Sequence, residues 1–271
     1  MTSPGPPRPS ADASAVALDT WRGLASLVVM VGHLRALFFI PLSGLRAPSL
    51  LVRLVYAATS LGHQAVMVFF VLSGYLVGGS VVRAVRARRW SWHEYLARRT
   101  ARLYVVLVPA LLLTALWDQL GIRFLAQSGL YQPNPDYAYI LPFSIAGNER
   151  LTAFVGNGVF VQTIVVPPFG SNSPRWSLAN EWWYYLMFPL LVVLVAPTRS
   201  PAARLASAVG GACIAWFVGV EIAAYFGIWL LGAGLAVVPT RPLTGRLPRV
   251  AVALTSAAVV VAALGFGGAH P

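Results

Sequence analysis

Lysine is absent from this chain, cysteine occurs once, and the acidic side chains number only eight. Charged residues make up 10% of the total, where a soluble domain would carry roughly a quarter, so a water-facing surface could not be clothed. That excludes a soluble globular fold and leaves a polytopic membrane protein. The lone Cys213 excludes an internal disulfide and a cysteine-built metal site, and no metal is expected. Set in an apolar run, it reads as a small buried filler. The net charge of +12 is carried by arginine alone. Those arginines cluster between apolar runs, the pattern of cytoplasmic loops rather than of a nucleic-acid surface. Nucleic acid is therefore not expected as a partner.

What the chain has in abundance is apolar sequence: 58% hydrophobic residues and a mean hydropathy of +0.70. Apolar runs at 16–40, 60–82, 101–120, 181–197, 205–220, 222–238 and 250–268 are each near the roughly 20 residues a helix needs to cross a bilayer. The fold class expected is an all-α transmembrane helix bundle of about seven or eight membrane segments. The stretch 137–166 holds two apolar pieces broken by Asn148, Glu149, Arg150 and Asn157. Arg83, Arg86, Arg88, Arg89, Arg98, Arg99 and Arg102 face Glu94 alone between the second and third spans, and Arg199, Arg204, Arg241, Arg246 and Arg249 mark two later basic loops. All three loops fall on the cytoplasmic side if the N-terminus is inside and 137–166 makes no net crossing, so that stretch is read as re-entrant or interfacial.

Residues 1–15, "MTSPGPPRPSADASA", are rich in Pro, Ser, Gly and Ala and read as a disordered cytoplasmic tail. A cleaved signal peptide is not expected, because Arg22 and His33 interrupt the first apolar run and no small-residue cleavage site follows it. The last span closes on "GFGGAHP" without a polar tail. Residues 16–271 are accordingly expected to form one integral-membrane domain that is incomplete at its C-terminus. No internal repeat is visible.

The first span carries two ionisable groups, Arg22 and His33, with ten uncharged residues between them. Eleven steps at roughly 100° bring both side chains within about 20° of one face, roughly 16 Å apart along the axis. Asp19 shares that face and is placed to pair with Arg22. An ionisable group inside a membrane is by default a functional candidate, although Arg22 could snorkel to headgroups and His33 could be a packing residue.

Three further stretches follow in order: "GHQAVMVFFVLSGYLVG" (62–78), "YLARRTARLYVVLVP" (95–109) and "FGSNSPRWSLANEWWYYLMFPLL" (169–191). With "LDTWRGLASLVVMVGH" they resemble the membrane-bound acyltransferase family 3, over roughly residues 18–191. The family's Arg, ten residues, then His falls on Arg22 and His33. Its FFVLSG stretch falls on Phe69 to Gly74, its arginine-rich third-helix start on Arg98, Arg99 and Arg102, and its Trp-Ser-Leu motif ending in Glu on Trp176, Ser177, Leu178 and Glu181. Two departures stand out. Tyr104 and Val105 follow the arginines where the family often has proline, and the chain is two or three helices short of the family's usual membrane core.

The resemblance implies transfer of an acyl group, most simply acetyl, from cytoplasmic acyl-CoA to a hydroxyl of a sugar or glycan-type acceptor. It implies an enzyme of the plasma membrane with a cytoplasmic N-terminus and no permanently bound cofactor. His33 is the expected base, or else a covalent acyl carrier. Arg22 would hold phosphates or steer the donor, and Glu181 needs a cationic or imidazole partner from another helix. Arg98, Arg99 and Arg102 suit the CoA phosphates, or serve only as a topology signal. His63 is a second candidate base, an acceptor-site residue or a packing group. Trp176 and Trp182 are interfacial aromatics that could stack on a sugar, with Ser177 beside them. Ser73 and Gly74, also candidates for the substrate site, are read first as small side chains for close helix packing. A serine nucleophile is disfavoured, since no acidic partner sits nearby in sequence and no Gly-x-Ser-x-Gly elbow is present. The rival class is a permease using Arg22, His33 and Glu181 as a relay. A third is a catalytically inactive scaffold.

Overall fold

The computed structural model describes residues 11–125, 127, 131, 144–172 and 176–238. Among these the elements are α1 (Ala11–Phe38), a short 3-10 turn (Leu42–Gly44), α2 (Leu50–Thr59), α3 (Gly62–Ser73), one π turn (Gly74–Gly78), α4 (Gly79–Arg86), α5 (Trp92–Phe124), α6 (Ile145–Asn148), α7 (Leu151–Gly158), α8 (Trp176–Val195) and α9 (Pro201–Val237). Five stretches are long and apolar enough to cross a membrane: Val16–Gly44, Leu50–Arg86, Trp92–Phe124, Trp176–Val195 and Pro201–Val237. The expected span at 250–268 lies outside the described residues, as do residues 1–10.

Local chemistry sets several helix starts. Ser49, Ser91, Ser144 and Ser200 each accept a hydrogen bond from the backbone N–H three residues on, satisfying a donor that the first helical turn leaves free. Pro201, at the first position of α9, has no N–H to lose there. The Ser91 cap corrects the expected start of the third span. Helix α5 begins at Trp92, not near residue 101, so Arg98, Arg99 and Arg102 sit inside the helix. At the N-terminus, α1 begins at Ala11, within the stretch read as a tail, where three alanines favour helix.

Helix direction follows from the contacts. Helix α1 runs antiparallel to α3: Gly32 lies against Thr59 and Gly62, while Arg22 lies near Ser73 and Leu76. Helix α5 runs antiparallel to α8, with Arg99 over Tyr185 and Thr114 bonded to Asn172. Within α9 the backbone leaves helical geometry at Gly219, where φ is +78°, a region open to glycine at no steric cost. Before that point Arg204 meets Leu194 and Phe217 meets Trp183; after it Phe226 meets Tyr184 and Trp229 meets Phe188. The sense against α8 therefore reverses, and the two halves of α9 correspond to the separately expected spans 205–220 and 222–238.

The described part of 137–166 behaves as a re-entrant element. Glu149 meets Gln119 near the end of α5, and α7 then descends until Gly158 accepts a hydrogen bond from Tyr104 at 2.7 Å. Phe160 accepts from Trp183 Nε1 at 2.9 Å, and the chain climbs back to Ser171, whose N–H donates to Asp118 at 2.6 Å. Fully buried Asn157 braces this excursion, donating to Ala153 and Pro167 carbonyls and accepting from Phe169 N. Irregular backbone at membrane depth is tolerable only with such partners. Protonation of Glu149, at the head of the element, is favoured by partial burial and then by Asp118, against an opposing hydrogen bond from Gln119.

The core is aromatic. Trp229 and Tyr184 are fully buried, with Phe70, Phe188 and Phe226 packed around them. Helix α1 leaves Trp21, Leu24, Leu27 and Met30 outward, as suits contact with lipid. Cys213 is exposed as well, correcting its assignment as a buried filler.

Candidate functional site

Helices α1, α3, α5 and α8 and the π turn surround a cavity of about 480 Å³. Its walls are mostly apolar, with Val66, Phe70, Leu76 and Leu103 among them. Into it converge Arg22 from α1, Ser73 from α3, Arg102 from α5, and Ser177, Glu181 and Tyr185 from α8. All four motifs that carried the family resemblance thus contribute polar groups to one space.

Glu181 is the hub. Its Oε1 accepts from Ser73 Oγ at 2.6 Å and from the Tyr185 hydroxyl at 2.5 Å. Ser73 Oγ in turn accepts from Trp229 Nε1 at 3.2 Å. A directed chain results, in which the indole N–H points at the serine oxygen and the serine and tyrosine O–H groups point at one carboxylate. Ser73 ends α3 where a single wide π turn begins, and such turns shift the register of a helix and recur at functional sites. Arg99 lies between the rings of Tyr95 and Tyr185, at 5.6 and 5.5 Å from their centres. This cationic contact is worth on the order of 0.5–2 kcal/mol where solvent is excluded.

The remaining candidates fall in other places. Arg22 pairs with Asp19 at 3.8 Å, one turn earlier on its own helix. His33 is half-buried and does not line the cavity; its neighbour Gly32 packs at the α2–α3 junction. His63 stacks on Trp176 with centroids 5.8 Å apart, and its Nε2 lies 3.3 Å from the Tyr225 hydroxyl. Trp176 also meets Phe70 edge-on. Arg98 is exposed and paired with Glu94 at 3.5 Å. Gly74 is buried against the Trp229 backbone and does not face the cavity, which agrees with close packing. The expected partner for Glu181 was a cation or imidazole; the hydrogen bonds it makes come from two hydroxyls. Tyr185 and Trp229 were not among the sequence candidates. Tyr185 stands one turn after Glu181, a spacing that places both on one helix face. Nothing in the sequence links Trp229 to Ser73.

Comparison with known proteins bears on this geometry. Residues 16–271 match the acyltransferase domain of acyltransferase family 3. Over 96 residues the chain is 35% identical to the O-acetyl transferase of Shigella phage Sf6, a stretch covering 35% of this chain and 24% of that protein. Over 128 residues it is 26% identical to an uncharacterised protein of Haemophilus influenzae, covering 47% of this chain and 48% of the other. The chain thus spans about a quarter and about half of the length of these two relatives. No solved structure matches it. With the family model matched from the first span onward, and that family's motifs gathered around one cavity, the chain belongs to acyltransferase family 3.

Proposed function

We propose that this chain is a plasma-membrane O-acyltransferase that takes an acyl group from cytoplasmic acyl-CoA and delivers it to a hydroxyl of a carbohydrate acceptor at the opposite face. One observation carries the reading: two guanidiniums, a carboxylate and two serines from four helices meet in a single cavity among apolar spans. Acyl transfer needs a proton acceptor and fixed charge where the oxyanion develops, and both are more effective where water is scarce.

Arg22 and Arg102 suit an anionic donor, since guanidinium keeps its charge and offers paired donors to phosphate. Arg83, Arg86, Arg88, Arg89, Arg199 and Arg204 gather at the same end of the bundle, at the α4–α5 and α8–α9 connections. That end is taken as cytoplasmic, where CoA is found. His33 lies toward the opposite end of α1, off the cavity wall, and is assigned to holding the acceptor as it enters. The name of the phage relative, an O-acetyl transferase, supports an acetyl group and an oxygen acceptor.

The test is release of CoA thiol and movement of label from radiolabelled acetyl-CoA by purified protein in lipid nanodiscs. Wild type should release CoA, and Arg22→Ala, His33→Ala and Glu181→Gln should each lower the rate by on the order of 10²-fold while retaining helix content. Full activity in His33→Ala would remove the imidazole from the scheme. Absence of CoA release by wild type from acetyl-, butyryl- and succinyl-CoA alike would end the acyl-transfer reading.

A further inference from the structure

Ser73 was set aside as a nucleophile because no acidic residue lies near it in sequence. The fold supplies one. Glu181, 108 residues away, accepts the Ser73 hydroxyl proton at 2.6 Å, and both groups line the same cavity. A serine hydroxyl has one proton and two lone pairs. Here the proton is directed at Glu181 while the oxygen accepts from Trp229 Nε1. The carboxylate is itself held by the Tyr185 hydroxyl at 2.5 Å. Nucleophile, base and a third group that orients the base form the arrangement that activates a weak oxygen nucleophile. A purely structural serine at a helix contact has no need of a cavity beside it. The glycines that follow, Gly74 and Gly78, already provide the close approach to α9.

We propose that Ser73 carries the acyl group covalently between donor and acceptor, with Glu181 as its base. The inference rests on the acyl-transfer reading above and adds an intermediate to it. Ser73 Oγ attacks the thioester carbonyl while its proton passes to Glu181. The tetrahedral oxyanion faces a cavity that Arg22 and Arg102 also line. Collapse breaks the C–S bond, and Glu181 returns the proton to the departing thiolate, giving CoA thiol and an acyl ester on Ser73. The acceptor hydroxyl then attacks that ester. Its proton moves to Glu181 and on to Ser73 Oγ as the Oγ–acyl bond breaks. No oxidant or further reactant is consumed.

The experiment uses the full chain in nanodiscs with radiolabelled acetyl-CoA and no added acceptor, quenched in acid and mapped by peptide mass spectrometry. The expected result is label on the peptide containing Ser73, with CoA thiol released in a burst of about one per active chain. Ser73→Ala should carry no label, and Ser73→Cys should carry it as a thioester that neutral hydroxylamine removes. Glu181→Gln should bind donor but acylate on the order of 10²-fold more slowly. The cysteine variant keeps the test informative if the alanine variant fails to fold. Release of CoA without label on Ser73, or transfer by Ser73→Ala at the wild-type rate, overturns the covalent step and leaves acyl transfer standing. No release of CoA from any of the three donors overturns both.

Discussion

Adding one methyl group to Gly78 tests the packing that holds the site together. Gly78 is buried at the end of the π turn, facing the second half of α9. A Cβ there would lie 2.6 Å from Ala233 Cβ and 2.9 Å from Ala233 Cα, where ordinary contact begins at 3.4 Å. Relief therefore requires 3.4 less 2.6, or 0.8 Å, of separation between two helices, and the nearest obstacle is a rigid methyl rather than the end of a long side chain. Forcing a methyl into packed helices costs about 1–3 kcal/mol. Small residues at membrane helix contacts act by permitting such approach. Trp229 lies one turn before Ala233, so the same separation would strain the indole–Ser73 bond, which at 3.2 Å is already at the long end of hydrogen bonding. Gly234, on the same helix, has nothing within 4 Å of its Cβ position. Gly234→Ala should gain about 0.5–1 kcal/mol of helix preference. The two variants should differ by about 1.5–4 kcal/mol in stability. Circular dichroism during unfolding in mixed micelles measures the gap. An unchanged midpoint for Gly78→Ala, or equal damage from Gly234→Ala, would refute the packing argument and the link from this contact to Ser73.

Three other outcomes follow from the same contacts. Asn157→Ala removes the amide that joins the Phe169 N–H to the Pro167 carbonyl, so the re-entrant element should lose about 0.5–1.5 kcal/mol for each lost hydrogen bond. Limited proteolysis within 158–171 should accelerate, and unchanged resistance would mean that Asn157 is not the brace. Arg102→Ala should raise the apparent KM for acyl-CoA more than it lowers kcat, while Arg98→Ala, whose side chain is exposed and paired with Glu94, should change neither; equal effects would place the donor away from the cavity. For Glu149 the folded-state pKa is raised, so the fold binds its proton more tightly than the unfolded chain. Its contribution is present at pH below the ordinary carboxylate range and is lost as pH rises through the raised value. Hydrogen-exchange protection of α6 and α7 should fall over that interval, and the fall should vanish in Glu149→Gln.

Much of the architecture was legible in one dimension because bilayers impose simple rules. Span length, the clustering of arginine and the interrupted 137–166 stretch anticipated the long helices, their alternating sense and the excursion between α5 and α8. The Asp19–Arg22 pair followed from helical spacing alone. The start of α5 was misplaced because hydropathy sees where apolar residues begin, whereas a helix starts at its cap, Ser91. Cys213 was misassigned for a related reason. In a membrane an apolar neighbourhood in sequence does not distinguish the packed face of a helix from the lipid face.

Composition, span periodicity and motif order by themselves determined the helical membrane class, the family and the residues worth inspecting. Those properties depend on local spacing and on transfer to lipid, both of which are written along the chain. Only the tertiary structure decided which candidates share a space. It brought Ser73 to Glu181 across 108 residues and to Trp229 across 156, put Arg102 but not Arg98 at the cavity, and left His33 off its wall. Such placements depend on the rotation of each helix about its axis and the closeness of its neighbours. Between α3, the π turn and α9 that closeness is set by Gly74, Gly78 and Gly232.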